Sequence, residues 1–173
     1  MRLKLSKGKT SVNHMKEQKN QGPSIPVVLF LSWFYTGKFP KAPGTMGSLA
    51  TIPLIYFLHS LNLNIYSLIG LIFLLYILAV IITERVQKKF HLHDPQWIVI
   101  DEVIGMLITW SFVRTVDFPT LFLVFSLFRL LDIIKFWPAS YFDRLHHGVG
   151  TITDDVVSGL YAGIITILVQ KFF

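Results

Sequence analysis

The chain contains no cysteine and few charged residues. Of its 173 residues, 15% are Asp, Glu, Lys or Arg, where an ordinary soluble domain has about 25%. The absence of cysteine excludes a thiolate metal site, a cysteine-phosphatase mechanism and a disulfide framework. With 53% hydrophobic residues and a mean hydropathy of +0.57, the composition indicates one integral membrane domain.

Charge is missing altogether from residues 42–83, which contain no Asp, Glu, Lys or Arg. Asn62 and Asn64 divide this stretch into a predicted helical hairpin, with a polar connection after it. The predicted fold is all-α, a polytopic helical membrane protein with about five membrane-embedded helices. Their expected ranges are 47–61, 65–83, 97–113, 119–135 and 155–170. The shorter apolar run at 25–35 predicts an interfacial segment, since a span needs about 20 residues.

The N-terminus has the opposite composition. Residues 1–23 hold six Lys and Arg against one Glu, without apolar periodicity, and are predicted to form a basic flexible arm before a single domain at 24–173. The formal charge of +6 is not arranged as an aromatic-interleaved basic patch. It therefore favours an anionic membrane surface as partner over nucleic acid.

Five carboxylates lie within apolar sequence: Asp101, Glu102, Asp132, Asp154 and Asp155. Such groups are costly unless they are paired or bind a metal. Each cluster has a structural alternative: a polar pair between helices, a salt-bridge ladder with Arg129 and Lys135, or a helix cap. A shared hard cation explains all three clusters together, and Mg²⁺ prefers such oxygen ligands.

Phosphate-binding groups are also present. The segment 38–48 is rich in Pro and Gly, and we expect a loop there, with Thr45 or Ser48 capping the next helix. Backbone amides at that helix start, beside Lys41, would suit a phosphate; the alternative is a membrane-entry loop. Arg129, Lys135 and Arg144 would neutralise phosphate charge. Asp143 is expected to be a solvated charge or a support on the phosphate side.

Four segments resemble bacterial phosphatidylglycerophosphatase A: PGTMGSL at 43–49, DEVIGM at 101–106, FRLLDIIKFWP at 128–138, and the GVG and DDVVSG motifs within 148–159. The resemblance implies an all-helical, Mg²⁺-dependent membrane enzyme that releases the terminal phosphate of phosphatidylglycerophosphate. The family's acidic positions fall on the five carboxylates, which are the expected catalytic and metal residues. Its basic positions fall on Arg129 and Lys135. Its glycine-rich segment falls on Pro43, Gly44, Thr45, Gly47 and Ser48.

The distribution of Lys and Arg predicts the orientation. If the five helices alternate, 14 of the 16 Lys and Arg lie on one side, which the positive-inside bias makes cytoplasmic. The expectation is a multi-pass protein of the bacterial inner membrane with its active site facing the cytoplasm. A small cation-binding transporter or channel is the alternative, since intramembrane acids also mark ion pathways. The mode of phosphoryl transfer, by water or through an aspartyl-phosphate, stays open, as does the oligomeric state.

Overall fold

A computed structural model describes residues 22–92, 95–145 and 148–172. Almost all of the predicted arm at 1–23 lies outside these ranges. Within them the chain is helical and has no strand, which confirms the all-α prediction. The described ranges contain seven α-helices: α1 (Ile25–Leu31), α2 (Pro43–Ser60), α3 (Ile65–Phe90), α4 (Ile100–Ser111), α5 (Phe118–Ile134), α6 (Ala139–Asp143) and α7 (Gly148–Phe172), with a 3₁₀ turn at Thr36–Lys38.

The long helices alternate in direction, as contacts at the two ends of the bundle show. At one end, Gly148 at the start of α7 donates its backbone N–H to Glu84 near the end of α3, at 2.6 Å. At the other end, Tyr56 of α2 donates to the carbonyl of Val116, between α4 and α5, at 2.9 Å. The starts of α2, α4 and α7 therefore share one end with the last turns of α3 and α5.

Helices α3 and α7 are long and apolar enough to cross a membrane. Their 26 and 25 residues correspond to roughly 37–39 Å at 1.5 Å per residue, against a hydrocarbon core of about 30 Å. Only 17% of the most apolar window of α3 is buried inside the protein, and Tyr66 and Phe73 are among its exposed side chains. Five membrane-embedded helices are not confirmed.

Two predicted boundaries are wrong at the charged end of the bundle. Helix α3 does not stop at 83 but continues to Phe90, and α7 begins at Gly148 instead of near Asp154. Polar contacts extend both helices past their apolar segments, since Glu84 pairs with Lys88 at 2.7 Å as well as with Gly148. Asp154 therefore lies in the second turn of α7 and does not cap it.

The start of α2 also differs from the prediction. The helix begins at Pro43, with Ala42 at the N-cap position and no side-chain cap, so neither Thr45 nor Ser48 caps it. Proline suits the first helical position because its fixed φ is already helical and its missing N–H is not needed. The expected loop thus ends earlier, and the helix begins four residues, about one turn, before the predicted start at 47.

Helix α4 is the centre of the core. Nine of its 12 residues are buried, and it packs against α2, α3, α5 and α7. Its backbone lies against that of α7 at Gly105 and Gly159, where a Cβ on Gly159 would lie 2.6 Å from the Gly105 carbonyl oxygen. Thr109 Oγ1 lies 3.2 Å from the Gly159 carbonyl oxygen. Glycine is required here because the two backbones touch.

We expect Gly159→Ala to lower the free energy of unfolding by about 1–3 kcal/mol, because the new methyl group overpacks the α4–α7 contact. Gly70→Ala is the matched control, since nothing lies within 4 Å of a Cβ at Gly70 on α3. That control should be neutral or stabilising by up to about 1 kcal/mol, the helix preference for alanine. Unfolding in one detergent measures both variants, and equal stability of Gly159→Ala and wild type would contradict the packing described.

Candidate active site

A cavity of about 420 Å³ lies at the charged end of the bundle and is lined by all five predicted carboxylates. Asp101 and Glu102 come from the first turn of α4, and Asp132 from the last turn of α5. Asp154 and Asp155 come from the second turn of α7. The alternation of the helices brings these three segments together, although they are far apart in sequence.

Asp101, Glu102 and Asp155 form the tightest part of the site. Each offers one carboxylate oxygen, and these oxygens lie within 4.8 Å of one another. Asp155 is buried, and Glu102 Oε2 is a buried atom without a hydrogen-bond partner. Like charges at this separation repel one another and raise the cost of burial unless a cation lies between them. The three oxygens thus fit a hard divalent ion.

Asp132 has a different environment, because it is paired with Arg129. The Arg129 Nη1 donates to Asp132 Oδ2 at 2.6 Å, one helical turn away on α5. The same nitrogen lies 3.9 Å from Glu102 Oε1, and Arg129 Nε is buried without a partner. Arg129 is therefore fixed at the edge of the carboxylate group and keeps donor capacity for an anion.

Lys135 holds the other side of the cavity. It is the C-cap of α5 in the left-handed conformation, with φ of 51°. Its ammonium donates to Asp154 Oδ2 at 2.6 Å and to Asp143 of α6. Burial disfavours the charged lysine, but the two carboxylates outweigh this and raise the pKa of Lys135 above its ordinary value. Asp154 Oδ1 remains buried without a partner.

The start of α2 forms a further wall, through Ala42, Pro43 and Gly44. A Cβ on Gly44 would overlap Glu102 Oε1 and lie 3.3 Å from Arg129 Nη1. Glycine therefore lets α2 begin close to the charged groups without displacing the Glu102 carboxylate. The N–H groups of a first helical turn have no partner within the helix and favour an anion.

Five other predicted phosphate-binding residues do not line the cavity: Lys41, Thr45, Gly47, Ser48 and Arg144. Ser48 is buried and donates to the Gly44 carbonyl at 3.0 Å. Gly47 packs on Val99, which lies 2.8 Å from where a Cβ would be. These two residues hold α2 in place. Lys41 and Arg144 are exposed, and their contact with phosphate stays a prediction.

Sequence reasoning missed Gln87 and Thr151 and undervalued Asp143; all three line the cavity. Gln87 was assigned to a polar loop because charged residues surround it. The pattern that could have predicted its burial is the helical spacing on α3, where the buried residues Ala79, Thr83 and Gln87 follow one another every four residues. Thr151 lies in the first turn of α7, which was also expected to be a loop.

The sequence model of one family, described as Phosphatidylglycerophosphatase A, matches residues 29–170. The chain belongs to the phosphatidylglycerophosphatase A family. This confirms the resemblance found in the four motifs. The matched region includes every residue that lines the cavity.

Named relatives of the phosphatidylglycerophosphatase A family are similar over most of their length. The Escherichia coli (strain K12) protein named Phosphatidylglycerophosphatase A is 40% identical over 144 residues, 82% of this chain and 83% of its own. The Haemophilus influenzae protein of the same name is 34% identical over 146 residues, 84% of this chain and 89% of its own. A Bacteroides thetaiotaomicron protein named Putative phosphatidylinositol-3-phosphatase is 29% identical over 148 residues, which are 83% of this chain and 92% of its own. No solved structure matches the chain.

We expect Lys135→Gln to destabilise the protein, because it leaves Asp154 buried without its counter-ion. Breaking a buried pair typically costs about 3–5 kcal/mol, and the low end applies here because 30% of the Lys135 side chain is exposed. Lys88→Gln, which breaks the exposed pair with Glu84, should cost less than about 1 kcal/mol. The free energy of unfolding in detergent measures both. Adding Asp154→Asn should restore much of the loss, and its failure to do so would contradict the pairing.

Proposed function

We propose that this protein is a Mg²⁺-dependent lipid phosphatase that hydrolyses the terminal phosphate monoester of phosphatidylglycerophosphate, giving phosphatidylglycerol and phosphate. Family membership supports the reaction and the substrate. The observation that carries the mechanism is the charge of the cavity, which has six carboxylates against Arg129 and Lys135. An anionic phosphate cannot enter such a cavity favourably unless a cation offsets this excess of negative charge.

Asp101, Glu102 and Asp155 are the residues that would hold Mg²⁺, since they form the one carboxylate group of metal-binding spacing found among the described residues. A bound Mg²⁺ supplies positive charge that polarises phosphoryl oxygens. Asp132 and Asp154 were expected to be ligands as well. Because each already accepts a hydrogen bond from a cationic side chain, we assign them to positioning Arg129 and Lys135.

The cationic side chains and α2 would bind the substrate phosphate. Arg129 retains unused donors beside Glu102, and Lys135 lies between Asp143 and Asp154. Together with the N–H groups at the start of α2, they stabilise negative charge that spreads over the phosphoryl oxygens in the transition state. These groups lie on two helices, at the end of α5 and at the start of α2, so they would hold the phosphate from two sides.

Asp154 Oδ1 is the best-placed proton acceptor, because Lys135 fixes the other oxygen of this carboxylate and Oδ1 is left without a partner. Water attacks phosphorus as the ester P–O bond to the headgroup breaks. The proton lost by water passes to Asp154 Oδ1 and then to the leaving alkoxide, so the products are phosphate and the lipid alcohol.

The membrane arrangement is also a proposal: a multi-pass protein of the bacterial inner membrane with the cavity on the cytoplasmic side. Exposed apolar side chains occur on α5 as well as on α3 and α7, for example Phe122 and Ile133. Among the described residues the cavity end carries most of the Lys and Arg, whereas Arg114 and Lys171 lie near the other end. All five carboxylates lie at one end, which does not favour an ion pathway through the bundle.

We predict that Asp101→Asn, Glu102→Gln and Asp155→Asn lower phosphate release by at least about 100-fold, the usual cost of losing such electrostatic groups. In EDTA these variants should melt at or above the wild-type temperature, because removing one charge relieves repulsion. Mg²⁺ should raise the melting temperature of the wild type but not of these variants, since that shift reports binding.

Asp132→Asn and Asp154→Asn are the matched comparison for the three ligand variants. They should also lose turnover, but they should keep the Mg²⁺-dependent rise in melting temperature because the three proposed ligands remain. If all five variants melt far below the wild type in EDTA and Mg²⁺ still stabilises them normally, the carboxylates are structural and the proposed metal site is wrong.

Cysteine labelling tests the orientation. The chain contains no cysteine, so no native cysteine has to be replaced first. Cysteine introduced at the exposed Lys89, on the cavity end, should react with a membrane-impermeant reagent only after the inner membrane is permeabilised. Cysteine at the exposed Thr115 should react before permeabilisation. The reverse pattern would place the cavity on the periplasmic side of the inner membrane.

A further inference from the structure

One wall of the cavity contains a buried polar group that the proposed mechanism does not use. Among the described residues that line the cavity, Glu102, Arg129, Asp154 and Gln87 each have a buried side-chain atom without a hydrogen-bond partner. The first three are charged, and the cation, the phosphate and the transferred proton account for them. Gln87 is neutral, so charge balance does not explain its buried, unpaired oxygen.

Gln87 is only 8% exposed, and its amide is held on one side. Its Nε2 donates to Thr151 Oγ1 at 3.0 Å, while Oε1 has no partner. Rotating the amide by half a turn would exchange its oxygen and nitrogen, but one of the two would still be unpaired, because Thr151 contacts only one of these positions. Buried polar atoms without a partner are uncommon, and at a cavity wall a ligand group is a direct explanation.

The position of this pair relative to the carboxylates fits the size of the headgroup. Thr151 precedes Asp154 and Asp155 by three and four residues on α7, so it lies on the same helix face about one turn, or about 5.4 Å, away. Gln87 contacts Thr151 from α3. A group that hydrogen-bonds Gln87 would therefore be separated by only a short carbon chain from a phosphate bound beside the proposed cation site at Asp155.

Resting on the proposed function, we propose that Gln87, positioned by Thr151, hydrogen-bonds the free hydroxyl of the headgroup glycerol and so determines specificity. That hydroxyl is on the carbon next to the one carrying the terminal phosphate. A site that hydrogen-bonds a substrate hydroxyl rejects an analogue lacking it, because the buried polar group of the protein is then left unpaired.

The test compares kcat/KM for phosphatidylglycerophosphate and for the analogue in which 1,3-propanediol replaces the headgroup glycerol, both in detergent micelles. The wild type should prefer the glycerol lipid by about 10- to 100-fold. Gln87→Met, of similar length, should reduce this preference to within about threefold of unity, mainly by losing rate on the glycerol lipid. Gln96→Met is the control, because Gln96 also lines the cavity but is exposed, and it should keep the wild-type preference.

The alternative is that Gln87 only ties α3 to α7. In that case Gln87→Met lowers kcat/KM for both lipids equally and leaves the preference intact, which would overturn the inference. Should the variant fail to fold, inhibition of the wild type decides: glycerol phosphate should bind more tightly than 1,3-propanediol monophosphate, and equal inhibition constants would overturn the role of Gln87. Release of phosphate from neither lipid would overturn the proposed function itself, whereas equal release from both would overturn only this inference.

Discussion

The site depends on the backbone contact between α4 and α7 at Gly105 and Gly159. A side chain at either position would push the helices apart, since a Cβ on Gly105 would lie 2.9 Å from the Asp155 carbonyl oxygen. Asp101 precedes Gly105 by one helical turn, and Asp155 precedes Gly159 by one turn, so the glycine contact sets the distance between the two carboxylates. Packing of these small residues thus holds the two carboxylates close together despite their mutual repulsion.

The carboxylates of the cavity differ in whether a cationic side chain is bonded to them. Asp132 and Asp154 are each bonded at 2.6 Å to a cationic side chain, which stabilises the charges of both partners. Asp101, Glu102 and Asp155 are close to one another, and Arg129 reaches this group only at 3.9 Å. In the proposed mechanism, a preorganised group of this kind would bind a divalent ion without rearrangement, and the fixed cations beside it would face the substrate phosphate. The free energy needed to keep like charges together comes from the packed helices.

The sequence predicted the helical class, the family and the convergence of the five carboxylates on one site, because apolar composition and the placement of acids within it are local signals. It did not predict the residues at which the helices begin and end on the polar side of the bundle. Glu84, Lys88 and Gln87 are polar and were assigned to a loop, but Glu84 bonds Gly148 across the bundle and the helix continues. Such cross-bundle contacts are not visible in a local pattern. For the same reason, the pairing of Lys135 with Asp143 and the helical start at Pro43 emerge only from the structure.

The central claim is that this cavity hydrolyses a lipid phosphate monoester with the help of a divalent cation. The most direct measurement follows phosphate release and lipid products by mass spectrometry, using purified protein and phosphatidylglycerophosphate, after EDTA treatment and again after Mg²⁺ is restored. The account predicts no turnover in EDTA and, with Mg²⁺, phosphatidylglycerol and phosphate in equal amounts. Full turnover after exhaustive removal of divalent cations, or no phosphate release with Mg²⁺ present, would contradict it.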